Sequence, residues 1–551
     1  MELILQKLGN FGRYQAFLYG LVFLPGFMAG LLALTFSWTG YIPNVRCRMP
    51  FEGSDTNYSW VFDANLTRYY YPKSDDYEDE GDKALCKYYP TNGSCSGSSG
   101  DCGVSQTAIK CDHGYVYDTS LFKSSLIMTY DMVCEDAYKR EFVRVAFMLG
   151  VFLGAAVLGP ISDRYGRRPL FIGNAVVGIV FLNIEFLIND KNYYLFLLST
   201  LISGFIQNGG FLLAYIVFME VVGGFPKTLC GIWYQAFYTT GMFYAALVAY
   251  FVREWWLIQI LYGVPPLFYL AYYWLFPESI RWALSKNRTD LAQKLINRAG
   301  KWNKVDIPEK LIVEAAEATA GQPQSNMLSL FTNGWYLART TSIVTFTWLA
   351  VSMGYYGLTF NTSDLPGDVF ASYMLSAAAE LPGYLICVPM MQKLGRRTTH
   401  VVLIGVGGVS CIISGLIGNK TQMTVNIRLV LALVGKMCMA AAYALIYNYS
   451  VEIYPTVVRS SGTSLGSMSA RIGSMAAPLI HNLADYVLSW LPIVIYGSVA
   501  VVAAFLGFFL PETMGRDYPE TIEDAIHFED KAYWEAKKRA KEQDLQPISK
   551  L

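Results

Sequence analysis

Charge is scarce in this 551-residue sequence. Only 16% of its residues are Asp, Glu, Lys or Arg, where soluble domains carry about a quarter. Basic and acidic residues number 43 each, so the formal net charge is zero and neither a nucleic acid nor another polyanion is an implied partner. Histidine is rarer still, with four in the whole chain. No H-E-x-x-H, G-x-S-x-G, P-loop or kinase pattern occurs, which argues against an enzyme and against an ATP-driven pump. No metal or cofactor site is expected either. The cysteines form no paired C-x2-C, and their polar segment holds one histidine, His113, too few ligands for zinc.

Apolar residues fill the space that charge leaves. They make up 53% of the chain, and the mean hydropathy is +0.30. A bilayer-spanning helix needs about 20 largely apolar residues, and this chain has many such runs. The pattern predicts an all-α membrane protein with twelve spans, embedded in a lipid bilayer. The first six are expected at roughly Tyr14–Ile42, Phe142–Ile161, Leu170–Ile188, Tyr194–Val222, Leu229–Val252 and Trp256–Phe276. The second six are expected at 339–360, 369–391, 399–418, 426–451, 460–484 and 489–510. The short polar start MELILQKLGNFGR, followed by an apolar run too long for a signal sequence, predicts that no cleavable signal is present.

Polar segments punctuate the spans. Residues 1–13 form an N-terminal segment, 14–276 the first half, 277–338 a linker, 339–510 the second half and 511–551 a charged tail. The linker carries Arg281, Lys286, Arg288, Lys294, Arg298, Lys301, Lys304 and Lys310, a basic bias that marks the cytoplasmic side. Both termini are then expected inside the cell. Within the linker, TDLAQKLINRAGKWN and PEKLIVEAAEATA read as amphipathic surface helices. Residues 43–141, between the first two spans, gather Cys47, Cys86, Cys95, Cys102, Cys111 and Cys134. The sequons at Asn57, Asn65 and Asn92 lie in the same stretch. Together they predict an oxidised, glycosylated, extracellular loop whose pairing the spacing leaves open.

A charged loop, GPISDRYGRRP at Gly159–Pro169, sits between spans two and three. It has echoes elsewhere. Gly166-Arg167-Arg168 recurs as Gly395-Arg396-Arg397, Glu220 as Glu452, and Pro277-Glu278-Ser279 as Pro511-Glu512-Thr513, at offsets of 229, 232 and 234 residues. Three echoes at nearly one period predict a duplicated six-helix unit, the plan of the major facilitator superfamily, with a site near the bilayer midplane between the halves.

The motifs carry a narrower resemblance. D-R-x-G-R-R after span two, CDHGYVYDTS…MVC before it, PESIRWALSKNR after span six and VEIYPTVVRSSG after span ten together resemble solute carrier family 22, the organic cation/anion/carnitine transporters. The resemblance covers the chain to about residue 520. It implies a plasma-membrane transporter of small organic ions working by alternating access. Coupling to sodium or protons is left open by the sequence.

Ionisable residues inside spans are functional candidates by default. Glu380, mid-span eight, is expected to face the cavity and counter a cation or take a proton, and Arg471, mid-span eleven, to need a carboxylate partner from substrate or protein. A direct Glu380–Arg471 pair is the alternative. The resemblance implies that a basic residue at position 471 departs from cation-only members. It also implies that Glu380-x-Pro382-small-Tyr384, with Gln207, suits carnitine-type members. Lys436 reads as a lysine snorkelling to the interface. Aromatic candidates are Tyr215, Trp233, Tyr234, Phe237, Tyr238, Trp348, Tyr355, Tyr356, Tyr443 and Tyr447, on spans four, five, seven and ten, which the superfamily architecture brings to the cavity. Their faces suit quaternary ammonium groups.

Asp163, Arg164, Arg168, Glu220, Glu278, Arg281, Glu452, Arg459 and Glu512 are expected to form a cytoplasmic charge network latching the two halves when the outside is open. The substrate class expected is a small organic cation or zwitterion such as carnitine. An organic anion exchanger is the alternative within the family. A disulfide-rich cell-surface receptor is the alternative outside it, although a receptor has no need of internal repeats or buried charges.

Overall fold

The structure is a computed structural model describing residues 2–49, 86–90, 107–184, 192–313 except 310, 328–360 except 333, 368–417 and 421–537. Within the last range, 456, 457, 482, 484–486, 489, 517, 518, 520 and 531 are not described. The described chain is helical, with a helical element at each of the twelve positions read from the sequence. The first six are Arg13–Ala33, Tyr138–Tyr165, Arg167–Ile184, Tyr193–Met219, Gly224–Val252 and a broken sixth, Trp255–Tyr262 with Tyr269–Leu275. The second six are Trp335–Phe360, Val369–Lys393, Arg396–Leu416, Gln422–Ile453, Arg459–His481 and Leu491–Gly507. Spans one, two, four, seven, eight, nine and ten are individually long and apolar enough to cross a membrane.

The sixth span departs from the continuous helix expected at Trp256–Phe276. A 3₁₀ turn at Pro265–Phe268 divides it. Two adjacent prolines remove two backbone donors and clash with the preceding turn, so the helix stops and restarts. Elsewhere helix ends are set by caps: Asn192, Asp368 and Thr421 accept from backbone N–H groups at the starts of spans four, eight and ten.

Close packing in lipid depends on small residues that let backbones meet. Span one lies on span five through Gly30, where an added Cβ would overlap the carbonyl oxygen of Tyr238, and through Gly241, where it would overlap that of Phe27. Between the halves, span two packs on span eleven and span five on span eight. At one end of the bundle this seam is closed by Phe370 of span eight. Its ring stacks on Trp38 at 5.2 Å and meets Phe122 at 5.8 Å and Tyr250 at 5.3 Å, with the Arg253 guanidinium 5.6 Å from its face.

That end carries the loop between spans one and two. Strand Val45–Cys47 pairs antiparallel with Tyr115–Tyr117, and Lys87–Tyr88 with Ile109–Lys110. Disulfides join Cys47 to Cys111 and Cys86 to Cys134. Tyr88 donates to Asp112 at 2.7 Å; desolvation, then this bond, pushes its phenol up to about 12. Lys123 pairs with Glu254 at 3.0 Å, tying the loop to the start of span six. Cys95, Cys102 and the sequons Asn57, Asn65 and Asn92 lie outside the described residues.

In the linker, helix Thr289–Asn303 buries Ala292, Leu295, Ile296 and Ala299. Asn303 donates to the carbonyl of Leu8 and accepts from the N–H of Tyr14, both at 2.9 Å, binding the linker to the first half. Most of the second expected amphipathic segment, from 314 on, lies outside the described residues.

Candidate functional site

The halves meet around a chamber lined by Ala29, Gln207, Phe211, Gln235, Tyr238, Tyr355, Tyr356, Tyr384, Ala440, Tyr443, Tyr447 and Arg471. Spans one, four and five supply the first-half wall, and spans seven, eight, ten and eleven the rest. Arg471 is the one ionic side chain among these residues, and no carboxylate is among them. It is only 7% exposed. Tyr356 is hydrogen-bonded to it, and Tyr443, Tyr447 and Tyr238 face it electrostatically. Tyr443 stacks on Tyr355 at 5.7 Å, and Tyr356 meets Tyr355 edge-on at 5.2 Å. The result is a cation set in phenol rings, whose hydroxyls tolerate the desolvated charge that plain hydrocarbon does not.

Glu380 lies one layer behind this wall and is fully buried. Its Oε1 accepts from Tyr355 at 2.8 Å and faces Lys436 Nζ at 3.1 Å. Its Oε2 accepts from Thr239 at 2.8 Å and Tyr384 at 3.2 Å. The expected cavity-facing counter-ion is thus engaged by four donors, and Arg471 is not one of them. Lys436 corrects the reading of a snorkelling side chain. It is 1% exposed, bonded to Thr359 and to the Tyr355 carbonyl, and sits 3.4 Å from the Tyr355 ring centroid. A buried charge needs a partner, and Lys436 supplies the one for Glu380.

The other candidates divide by position. Gln207 reaches the chamber while donating to the Ala29 carbonyl at 3.2 Å. Tyr215 and Tyr234 form a second ring layer: Tyr215 lies 6.3 Å from Tyr447, and Tyr234 donates to the Phe211 carbonyl at 3.1 Å. Trp233, Phe237 and Trp348 are absent from the wall. Phe237 packs on Tyr19 and Phe23, Trp233 packs partly buried against the core, and Trp348 is buried with its indole donating to Ser450 at 2.9 Å. Helical spacing alone could not separate chamber-facing rings from rings that cement neighbouring helices. Sequence reasoning missed Thr239, Phe211 and Gln235, which no charge or motif distinguishes from packing residues.

At the opposite end from the disulfide-bonded loop, the repeated motifs assemble into two similar knots. In the first half, Glu278 accepts from the N–H groups of Arg167, at 2.8 Å, and Arg168. Ser279 donates to Glu220, which also faces Arg167 at 3.7 Å, and Asp163 pairs with Arg167 at 2.9 Å. In the second half, Glu512 accepts from Arg396 and Arg397 at 2.9 and 3.0 Å, Thr513 donates to Glu452 at 2.5 Å, and Arg396 pairs with Glu452 at 3.1 Å. Gly166 and Gly395 take φ of +110° and +86°, a region open chiefly to glycine. Each also leaves room for the acid beneath it, Glu278 or Glu512.

In this arrangement, closed on the loop side, these pairs each lie within one half and its flanking segment; the latch between halves is expected for the arrangement open on that side. Arg281 acts on Glu220 within the first half. Arg164 lies 5.4 Å from the Tyr165 ring, Arg168 also donates to the Tyr273 carbonyl at 2.7 Å, and Arg459 donates to that of Tyr454 at 3.1 Å. A helix start with free N–H groups is a ready donor site for a carboxylate, so each knot fixes the turn between two spans.

Two six-helix halves around a chamber lined by tyrosines and Arg471 have the plan of a major facilitator transporter. A proton:xylose symporter of that superfamily, bound to 6-bromo-6-deoxy-D-glucose, shares the fold with TM-score 0.60 and 15% identity over 94% of this chain and 99% of that one. At that identity the likeness speaks for fold alone. Residues 108–524 match the family described as Sugar (and other) transporter. Among sequence relatives, the Organic cation transporter protein of Drosophila melanogaster is 32% identical over 95% of this chain and 94% of its own length. Organic cation/carnitine transporter 2 of Homo sapiens is 30% identical over 76% and 74%. Solute carrier family 22 member 16 of Xenopus laevis is 31% identical over 95% and 94%. The chain belongs to solute carrier family 22 of the major facilitator superfamily; it is a membrane transporter and not an enzyme.

Proposed function

We propose that this protein moves small carboxylate-bearing zwitterions of the carnitine type across the plasma membrane, with both termini cytoplasmic. The observation that carries the reading is Arg471, the one ionic side chain on a chamber otherwise walled by tyrosines, Phe211, two glutamines and two alanines. A guanidinium binds a carboxylate through paired, charge-assisted hydrogen bonds. The faces of Tyr356, Tyr384 and Tyr443 suit a quaternary ammonium, each worth about 2 kcal/mol when desolvated. Residues 1–276 and 339–510 rock about this site in alternating access. The relatives named for organic cations and carnitine support the class of cargo.

The absence of a carboxylate from the lining residues favours a second reading, organic anion exchange. Reconstituting the full chain in proteoliposomes separates the two. Saturable, stereoselective uptake of labelled L-carnitine, inhibited by benzoate and only weakly by tetraethylammonium, is the expected result; repeating it with and without sodium reveals the coupling. Benzoate exchange without carnitine uptake would replace the first reading with the second, and flux that never saturates would remove both.

A further inference from the structure

We propose that Lys436 determines the charge preference of the chamber by neutralising Glu380 behind its wall, a role that rests on the reading of the chamber given above. Tyr355 and Tyr384 are the partition. Both line the chamber on one side and donate to Glu380 on the other. The acid is therefore one phenol away from any bound substrate, close enough for its field to matter in a water-poor interior. What cancels that field is Lys436, 3.1 Å from Oε1.

Lys436 is itself locked. Its Nζ contacts the Thr359 hydroxyl and the Tyr355 carbonyl, and the same Tyr355 ring lies against the ammonium. Span seven thus fixes both members of the pair through Tyr355. With the pair summing to zero, the formal charge felt in the chamber is that of Arg471. Without the lysine, Glu380 would offset Arg471 and an unaccompanied organic cation would become a better ligand. Lys436 is in this sense a positioning residue, acting through Glu380 without touching substrate.

The test uses purified full-length protein and direct binding of benzoate and tetraethylammonium, so it does not depend on carnitine being the cargo. Lys436→Met should shift the affinity ratio toward tetraethylammonium by roughly tenfold or more. Lys436→Arg, which keeps the charge, should retain the original ratio. The double variant Glu380→Gln/Lys436→Met removes both charges and should return the ratio close to that of the unmodified protein. A lysine needed only for packing would leave the ratio fixed in Lys436→Met, which overturns the proposal; so does a double variant shifted as far as the single one. If Lys436→Met does not fold, Glu380→Gln decides: it leaves the Lys436 charge uncancelled, so a ratio shifted toward benzoate supports the role, and an unchanged ratio overturns it. Benzoate binding indifferent to Arg471→Gln would defeat the reading of the chamber and this proposal with it. An Arg471-dependent benzoate site whose selectivity ignores Lys436 defeats this proposal only.

Discussion

Thr239 of span five donates to Glu380 of span eight at 2.8 Å, so a hydroxyl of the first half is bonded to a carboxylate whose balancing cation belongs to the second. The bond is fully buried and exists while the seam is closed around Phe370. A hydrogen bond to a charged group contributes about 1.5–3 kcal/mol. Thr239→Val keeps the shape and removes the donor. Its expected effect is a shift of roughly tenfold or more toward the arrangement open on the loop side. Spin labels at Ile42 and Asp368, both exposed at that end, should report a larger long-distance population; an unchanged distribution would remove Thr239 from the closure.

The two charge knots make a symmetric prediction. Glu278→Gln and Glu512→Gln each weaken a carboxylate that accepts two backbone N–H groups, at a cost of about 1–3 kcal/mol. Each should lower the thermal midpoint, and their combined effect should be additive, as for distant independent sites. Benzoate affinity should not change. Strong non-additivity would point to a latch running between the halves.

The loop on the closed side rests on covalent links. Cys86–Cys134 spans 48 residues and Cys47–Cys111 spans 64, lengths for which the chain-entropy model gives about 4 kcal/mol each. Cys86→Ser with Cys134→Ser should render residues 107–134 sensitive to protease while sparing ligand binding in the chamber. Peptide mapping without reductant should recover these two pairs, and any other pairing of the four cysteines contradicts the loop fold.

Trp348 and Tyr447 separate packing from recognition. Their rings meet edge-on at 4.5 Å, yet only Tyr447 reaches the chamber. Trp348→Ala should cost about 3–5 kcal/mol of stability through the cavity it leaves, with the benzoate to tetraethylammonium ratio intact. Tyr447→Ala should alter that ratio with a smaller loss of stability. The reverse pattern would exchange their roles.

The duplicated plan is legible in the sequence because its markers are local. Gly166 and Gly395, with their arginines and the later Glu278 and Glu512, are chemically rare in an apolar chain, and each knot needs them for a turn. Partnership is what the sequence hides. Lys436 and Glu380 are 56 positions apart on different helices, and nothing in the apolar run around Lys436 says whether its ammonium turns to the interface or to an acid. The break in span six is visible as Pro265-Pro266, but the surrounding hydropathy outweighs it. Likewise charge patterning places acids and bases at the same end of the bundle without saying which half each one bonds.

In the proposed function, selection of cargo turns on the charge of Arg471. Competition binding to purified Arg471→Asp, with carnitine, benzoate and tetraethylammonium, tests that role most directly. Carnitine and benzoate should weaken by roughly tenfold or more, about the loss of one charge-assisted pair, while tetraethylammonium binds as well as before or better. The same order of affinities in the variant and the unmodified protein would contradict the role of Arg471 as the selecting charge.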